Sequence, residues 1–151
     1  MILYLIRHGH AEDRAEWHKP DLERPLTEKG AARAGKAFRK FFSIYEKPEI
    51  IVSSEAVRAS QTADILSDIT GAAVQIRSAL NPGADYTDYE SVVREFEKSK
   101  TLAIVAHEPD MSEFISYWTA GGALTAEFKK GSICHIADRR LINLIQQKVL
   151  I

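Results

Sequence analysis

The sequence predicts an α/β fold: a three-layer sandwich with a mostly parallel central sheet flanked by helices and an antiparallel strand near the C-terminus. Three observations lead there. Short apolar runs recur along the chain, helical periodicities fall between them, and the last two runs have no helical pattern separating them. At 151 residues, with no internal repeat, low-complexity tract or Pro/Gly/Ser linker, residues 1–151 read as one domain.

Ile2–Ile6 is almost entirely apolar, the signature of a strand buried on both faces. After a polar stretch, Thr27 can cap a helix that places Ala31, Ala34, Phe38, Phe41 and Phe42 on one side. Pro48 resets the chain, and Glu49–Ser53 reads as a second buried strand. A helix from about Ala56 to Thr70 turns Ala59, Ala63, Leu66 and Ile69 inward, and Gly71 ends it. Val74–Ile76 is a further short strand. Asn81-Pro82-Gly83 makes a turn before a helix carrying Tyr89, Val92, Val93 and Phe96. Thr101–Ala106 is another apolar strand. Asp110 is expected to cap a helix built on Met111, Phe114, Ile115 and Trp118, broken by Gly121-Gly122. Ser132–Ala137 and Leu141–Ile151 read as two closing strands.

Composition narrows the function classes. Twenty basic residues against 21 acidic give a net charge of -1, which supports neither nucleic acid nor an anionic membrane as a partner. The single cysteine, Cys134, has no partner for an internal disulfide and reads as a buried small hydrophobe. No Cys/His grouping has zinc-ligand spacing. The first apolar run is too short for a signal segment, and nothing approaches the ~20 apolar residues of a membrane span. A cytoplasmic location is the expectation.

The chemistry gathers after three of the strands. Ile2–Ile6 leads into Arg7-His8-Gly9, Ile50–Val52 through Ser53-Ser54 to Arg58, and Thr101–Ala106 into His107-Glu108-Pro109. In open α/β sheets, ligands bind beyond the carboxyl ends of the strands, so Arg7, His8, Arg58 and His107 can share one pocket. Two guanidiniums and two imidazoles repel one another unless an anion sits among them. Phosphate suits arginine's fixed fork of donors. Gly9 lets the backbone approach a phosphoryl group, and a helix beginning near Ser54 could add N–H donors.

Arg7-His8-Gly9 after an N-terminal strand resembles the defining motif of the histidine phosphatase superfamily, which includes the phosphoglycerate mutases. The likeness continues through Arg24-Pro25-Leu26-Thr27 with Gly30, through Ser53-Ser54-Glu55-Ala56-Val57-Arg58-Ala59 with Gln61-Thr62-Ala63, and through Val105-Ala106-His107-Glu108-Pro109. In order and spacing these segments are similar to the small SixA-like phosphohistidine phosphatases, over nearly the whole chain. The resemblance implies His8 as nucleophile, transiently phosphorylated, with Arg7, Arg58 and His107 binding and polarising the phosphoryl group. It implies no metal and no organic cofactor, since the arginines supply the positive charge.

One departure bears on the substrate. Where many larger relatives place a glutamate acid, this chain reads Ala79-Leu80-Asn81-Pro82-Gly83-Ala84-Asp85. Asp85 is the nearest carboxylate, with Glu12 and Asp13 as alternatives, and the residues do not choose among them. An imidazole leaving group needs a proton only near a pKa of about 6.5, whereas an alkoxide demands far more help. The absence therefore tilts the substrate towards a phosphohistidine-bearing protein. A small phosphomonoester such as a sugar phosphate is the alternative, and a non-catalytic phosphoryl-binding module the second. The length also argues for a shallow pocket without a large cap.

The remaining candidates read more simply. His10 fits a pocket rim, His18 a solvated loop and His135 a packed strand. Trp17 and Trp118 read as packing residues, Trp17 with the option of covering the pocket. Lys129-Lys130 reads as an exposed turn able to help an acidic partner dock.

Overall fold

The computed structural model describes all residues from Met1 to Ile151. Six strands form one sheet: β1 (Ile2–Arg7), β2 (Ile50–Ser53), β3 (Ala73–Ile76), β4 (Thr101–Ala106), β5 (Ile133–Ala137) and β6 (Arg140–Ile145). Their order is β3-β2-β4-β1-β5-β6. The first four run parallel, while β5 and β6 are antiparallel to their neighbours, as the uninterrupted late strands predict. Four helices cover the sheet: α1 (Glu28–Phe41), α2 (Val57–Thr70), α3 (Tyr86–Glu95) and α4 (Asp110–Ala120). No helix is long and apolar enough to cross a membrane.

Alternation along the strands builds two cores. Leu3 and Leu5 of β1, with Leu102 and Ile104 of β4, face Tyr89, Val92, Phe114 and Ile115 of α3 and α4. Tyr4 and Ile6, with Ala103 and Val105, face Ala34, Phe38 and Phe41 of α1 and Ala59, Ala63 and Leu66 of α2. Burying each large apolar side chain contributes about 2 kcal/mol, and strands used on both faces must be apolar throughout. All six residues of β4 are buried.

The predicted ends of α1 and α2 are observed. Thr27 caps α1, its hydroxyl accepting from the Gly30 N–H at 2.9 Å. Gly71 closes α2 at φ 79°, a backbone angle that favours glycine. Three expectations change. The helix after β2 starts at Val57, beside the expected Ala56, but Ser54 adds no free helix-start donor, because its N–H is committed to the Val105 carbonyl at 3.3 Å. Asp110 is the first residue of α4, not its cap: its carboxylate accepts from the Gly83 N–H at 2.8 Å, tying the preceding turn to the helix. The last strand stops at Ile145, and Gln147–Val149 form a short 3-10 turn.

Pairing sets the functional edge. Arg7 lies opposite Ala106, and Ser53 opposite Val105, so the segments following β1, β2 and β4 emerge side by side. Cys134 is buried and its thiol is pushed up to about 12 by burial. His135 is buried too, packed against Tyr4, Phe41 and Tyr45. Trp118 stacks on Phe114 and carries the Arg139 guanidinium 3.8 Å above its ring.

Candidate active site

The turn after β1 is fixed from two sides. Arg7 N–H donates to the Ser132 carbonyl and His8 N–H to the Ala106 carbonyl, at 3.1 and 3.2 Å. Gly9 N–H then donates to the Thr62 hydroxyl at 3.2 Å, joining the turn to α2. The His8 ring is held by its own neighbour, with Nδ1 2.8 Å from the Gly9 carbonyl. A carbonyl only accepts, so Nδ1 carries the hydrogen and Nε2 keeps its lone pair. Burial, followed by the positive charges of Arg58, Arg7 and Arg24, lowers the His8 pKa to about 3, despite the bond to Gly9. The imidazole is therefore neutral at physiological pH.

His107 follows β4, and its ring centroid lies 5.2 Å from that of His8. Its Nε2 is 2.7 Å from the Ser54 hydroxyl. Burial first, then the nearby His8 and Arg58, bring its pKa to about 3. Arg58, in the first turn of α2, is 1% exposed. Its two terminal nitrogens donate to the Asp21 carbonyl and carboxylate, at 2.9 and 3.0 Å. Asp21 also accepts from Arg24 Nε at 3.2 Å, and Arg24 reaches the Glu12 carbonyl at 2.8 Å. Burial alone would raise the Asp21 carboxyl, but the Arg24 hydrogen bond and the charges of Arg58 and Arg24 hold it below the usual range.

Arg7 donates through one terminal nitrogen to the Phe128 carbonyl at 2.8 Å. Three buried nitrogens of this cluster have no partner within the protein: Arg7 Nε, Arg58 Nε and His107 Nδ1. Buried donors left without acceptors are costly, and functional sites are where such groups concentrate.

Arg7 and His8 open onto a cleft of about 590 Å³ shared with Glu12, Asp13, Arg14, Arg24 and Lys130. Arg58 and His107 do not line this cleft but join the same cluster from buried positions, Arg58 through its charge on His8 and His107 through its ring 5.2 Å away. Of the three candidate acids, Glu12 and Asp13 line the cleft. Asp85 does not: its carboxylate caps α3, accepting from the Asp88 N–H and the Thr87 hydroxyl, which lower its pKa. The three hydroxyls nearby serve the protein itself. Ser53 donates to the Ser54 carbonyl, Ser54 meets His107, and Thr62 donates to the Arg58 carbonyl while accepting from Gly9.

Asp21 and Glu108 were not among the site residues read from the sequence. Asp21 sits in a three-residue 3-10 turn with no local pattern, although its neighbour Arg24 belongs to a matched segment. Glu108 lies within the matched His107-Glu108-Pro109 itself. Burial raises its carboxyl, and hydrogen bonds from Ser112 with the charge of Arg7 offset part of that rise. Trp17 turns back onto its own loop, donating to the Pro20 carbonyl at 3.0 Å.

Residues 3–98 match the model of the histidine phosphatase superfamily, branch 1. An uncharacterized protein of Picosynechococcus sp. is 33% identical over 117 residues, covering 76% of this chain and 70% of that protein. Among solved structures, the protein histidine phosphatase SixA complexed with tungstate superposes with a TM-score of 0.85 at 19% identity, covering 99% of both chains. The alpha-ribazole phosphatase of Shigella flexneri has a TM-score of 0.72 at 17% identity, covering 97% of both. A mycobacterial glucosyl-3-phosphoglycerate phosphatase has a TM-score of 0.68 at 19% identity, covering 89% of this chain and 88% of that one. These structures share the fold, and the match over residues 3–98 places the chain in branch 1 of the histidine phosphatase superfamily.

Proposed function

We propose that this protein is a metal-independent phosphohistidine phosphatase that works through a covalent phospho-His8 intermediate. The observation that carries the reading is the hydrogen bond from His8 Nδ1 to the Gly9 carbonyl. It presents a neutral ring whose Nε2 lone pair is free, beside Arg7 and within the field of Arg58. A neutral imidazole is a competent nucleophile, and the surrounding guanidiniums favour the anionic group it attacks.

In the first step the His8 Nε2 lone pair forms a bond to phosphorus while the bond from phosphorus to the substrate's imidazole nitrogen breaks. The departing imidazole takes up a proton from solvent in the open cleft. In the second step water attacks phosphorus, the bond from phosphorus to Nε2 breaks with its electron pair returning to Nε2, and inorganic phosphate leaves as the proton given up by the water returns to solvent. Arg7, Arg58 and His107 carry the phosphoryl charge in both steps. Their unpartnered nitrogens suit a group that offers only acceptors.

The acid side of the site favours phosphohistidine over an ester. Asp85 serves as a helix cap, and Glu12 and Asp13 are exposed at the rim. An imidazole leaving group tolerates weak acid assistance better than an alkoxide does. The SixA structure that shares the fold is described as a protein histidine phosphatase and holds tungstate, a tetrahedral oxyanion like phosphate.

The test is phosphate release, in the presence of a chelator, from a phosphohistidine protein and from p-nitrophenyl phosphate. Release from phosphohistidine that vanishes in His8→Ala is the expected result. Turnover of the aryl ester alone would move the substrate to small phosphomonoesters. Activity restored only by added divalent metal would contradict the metal-independent mechanism.

A further inference from the structure

Next to the catalytic cleft lies a second hollow, of about 350 Å³. Its eight lining residues include none that is hydrophobic and none that is acidic. Five are cationic: Arg7, Arg33, Lys129, Lys130 and Lys148. The whole chain carries a net charge of -1, so this is a local segregation of charge. Lys129 pairs with Glu127 at 3.7 Å; the other four cations form no ion pair, although Glu108 is near enough to Arg7 for their charges to act on each other. Cations gathered around one concavity repel each other until an anion enters, and they raise the local concentration of anionic partners.

The hollow is joined to the catalytic centre. Arg7 and Lys130 line both cavities. Gly131 N–H donates to the Arg7 and His8 carbonyls, at 3.2 and 3.0 Å. On its other side Gly131 packs on Gln147, which lines the hollow: a Cβ there would fall 2.3 Å from the Gln147 amide nitrogen. Gln147 is 4% exposed, and its side-chain oxygen has no partner. An occupant of the hollow is therefore one arginine side chain away from the group bound at His8.

The basic surface continues past the hollow. A third concavity of about 250 Å³ shares His10 and Arg33 with it and adds Lys29. Among the causes that lower the His10 pKa, burial is followed by the charges of Lys130, Arg33, Arg7 and Lys29, as a ring set among cations requires. The result is a basic track running from Lys130 through Arg33 to Lys29. Its first hollow gathers five cations and Lys29 adds a sixth beyond it, more than a single small anion needs, and no Phe, Tyr or Trp side chain lines that hollow.

We propose that this track binds an acidic polypeptide segment of the phosphoprotein substrate, seating its aspartate and glutamate side chains beside the phosphohistidine. The assignment rests on the phosphohistidine reading for its substrate, but its binding test stands apart from catalysis.

The experiment uses two synthetic phosphohistidine peptides of equal length, one flanked by aspartates and one by asparagines, with their unphosphorylated counterparts. Wild type is compared with an Arg33→Ala/Lys148→Ala double variant, since neither residue belongs to the catalytic cluster. The expected KM for the aspartate peptide is about tenfold below that for the asparagine peptide, with kcat unchanged. The double variant should lose this preference while turning over the asparagine peptide as wild type does. In fluorescence anisotropy the unphosphorylated aspartate peptide should bind wild type and not the variant, whether or not phosphohistidine is turned over. Equal affinity of wild type for the two peptides would overturn the proposal. So would binding of inorganic pyrophosphate that depends on Arg33 and Lys148 while the aspartate peptide fails to bind.

Discussion

Asp21 takes up both terminal nitrogens of Arg58, one through its main-chain carbonyl and one through its carboxylate. The two residues are 37 positions apart, and the same carboxylate also meets Arg24. A buried guanidinium beside a neutral histidine is thus held by an acidic residue that does not line the cleft with His8.

Asp21→Asn should therefore impair turnover more than stability. The carboxylate is 44% exposed, so the ion pair contributes less than about 1 kcal/mol to folding. Misplacing Arg58 should lower kcat by about 10- to 100-fold. Steady-state kinetics with parallel denaturant melts checks this, and Asp21→Glu should recover part of kcat. A variant that loses stability but keeps kcat would make Asp21 purely structural.

Acid should destabilise the fold through its neutral histidines. His8 and His107 both fall from the usual 6.5 to about 3 in the folded protein. Below pH 6.5 the unfolded chain binds protons that the folded chain refuses, so their contribution is complete above that pH and is lost as pH falls towards 3. Each such group adds a slope of up to about 1.4 kcal/mol per pH unit. Urea titrations between pH 7.5 and 4.5 should show this fall, and His8→Asn should make it shallower. Equal slopes for wild type and His8→Asn would show that His8 titrates normally.

Gly30→Ala should disrupt the site from outside it. A Cβ at Gly30 would stand 2.1 Å from the His10 carbonyl, the same carbonyl that accepts from the Thr27 N–H. Backbone cannot yield as a flexible side chain can, so the turn following His8 or the start of α1 must shift. A loss of about 3 kcal/mol is expected in thermal or denaturant unfolding, with reduced turnover in the remaining folded protein. A neutral effect on both would show that the turn is looser than its hydrogen bonds indicate.

Much of this arrangement is legible in the residues, because the deciding signals are local. Apolar runs with no polar alternation foretell β1 and β4, strands covered on both faces. Thr27 and Gly71 mark helix ends by side-chain chemistry and backbone freedom. Residues directly after parallel strands share one edge, which is why Arg7, His8 and His107 could be grouped although 99 positions separate the histidines. What escaped depends on distant partners. Asp110 looks like a cap by every local rule, yet its carboxylate binds the Gly83 N–H, 27 residues away. Asp85, read as a candidate acid, satisfies its own helix instead. Asp21 has no periodic or motif signal, and its role exists only because the fold brings Arg58 to it. The basic track is assembled from the turn after β1, helix α1, the Lys129-Lys130 turn and the C-terminal 3-10 turn, and a balanced net charge hides it.

The central claim is that His8 carries the phosphoryl group. The most direct measurement is rapid-quench mass spectrometry of the protein mixed with excess phosphohistidine substrate, under alkaline quench to preserve phosphoramidates. The account predicts a transient phosphoryl adduct on His8, formed and lost at rates compatible with turnover and absent in His8→Ala. Full turnover with no adduct on His8, retained in His8→Ala, would contradict it.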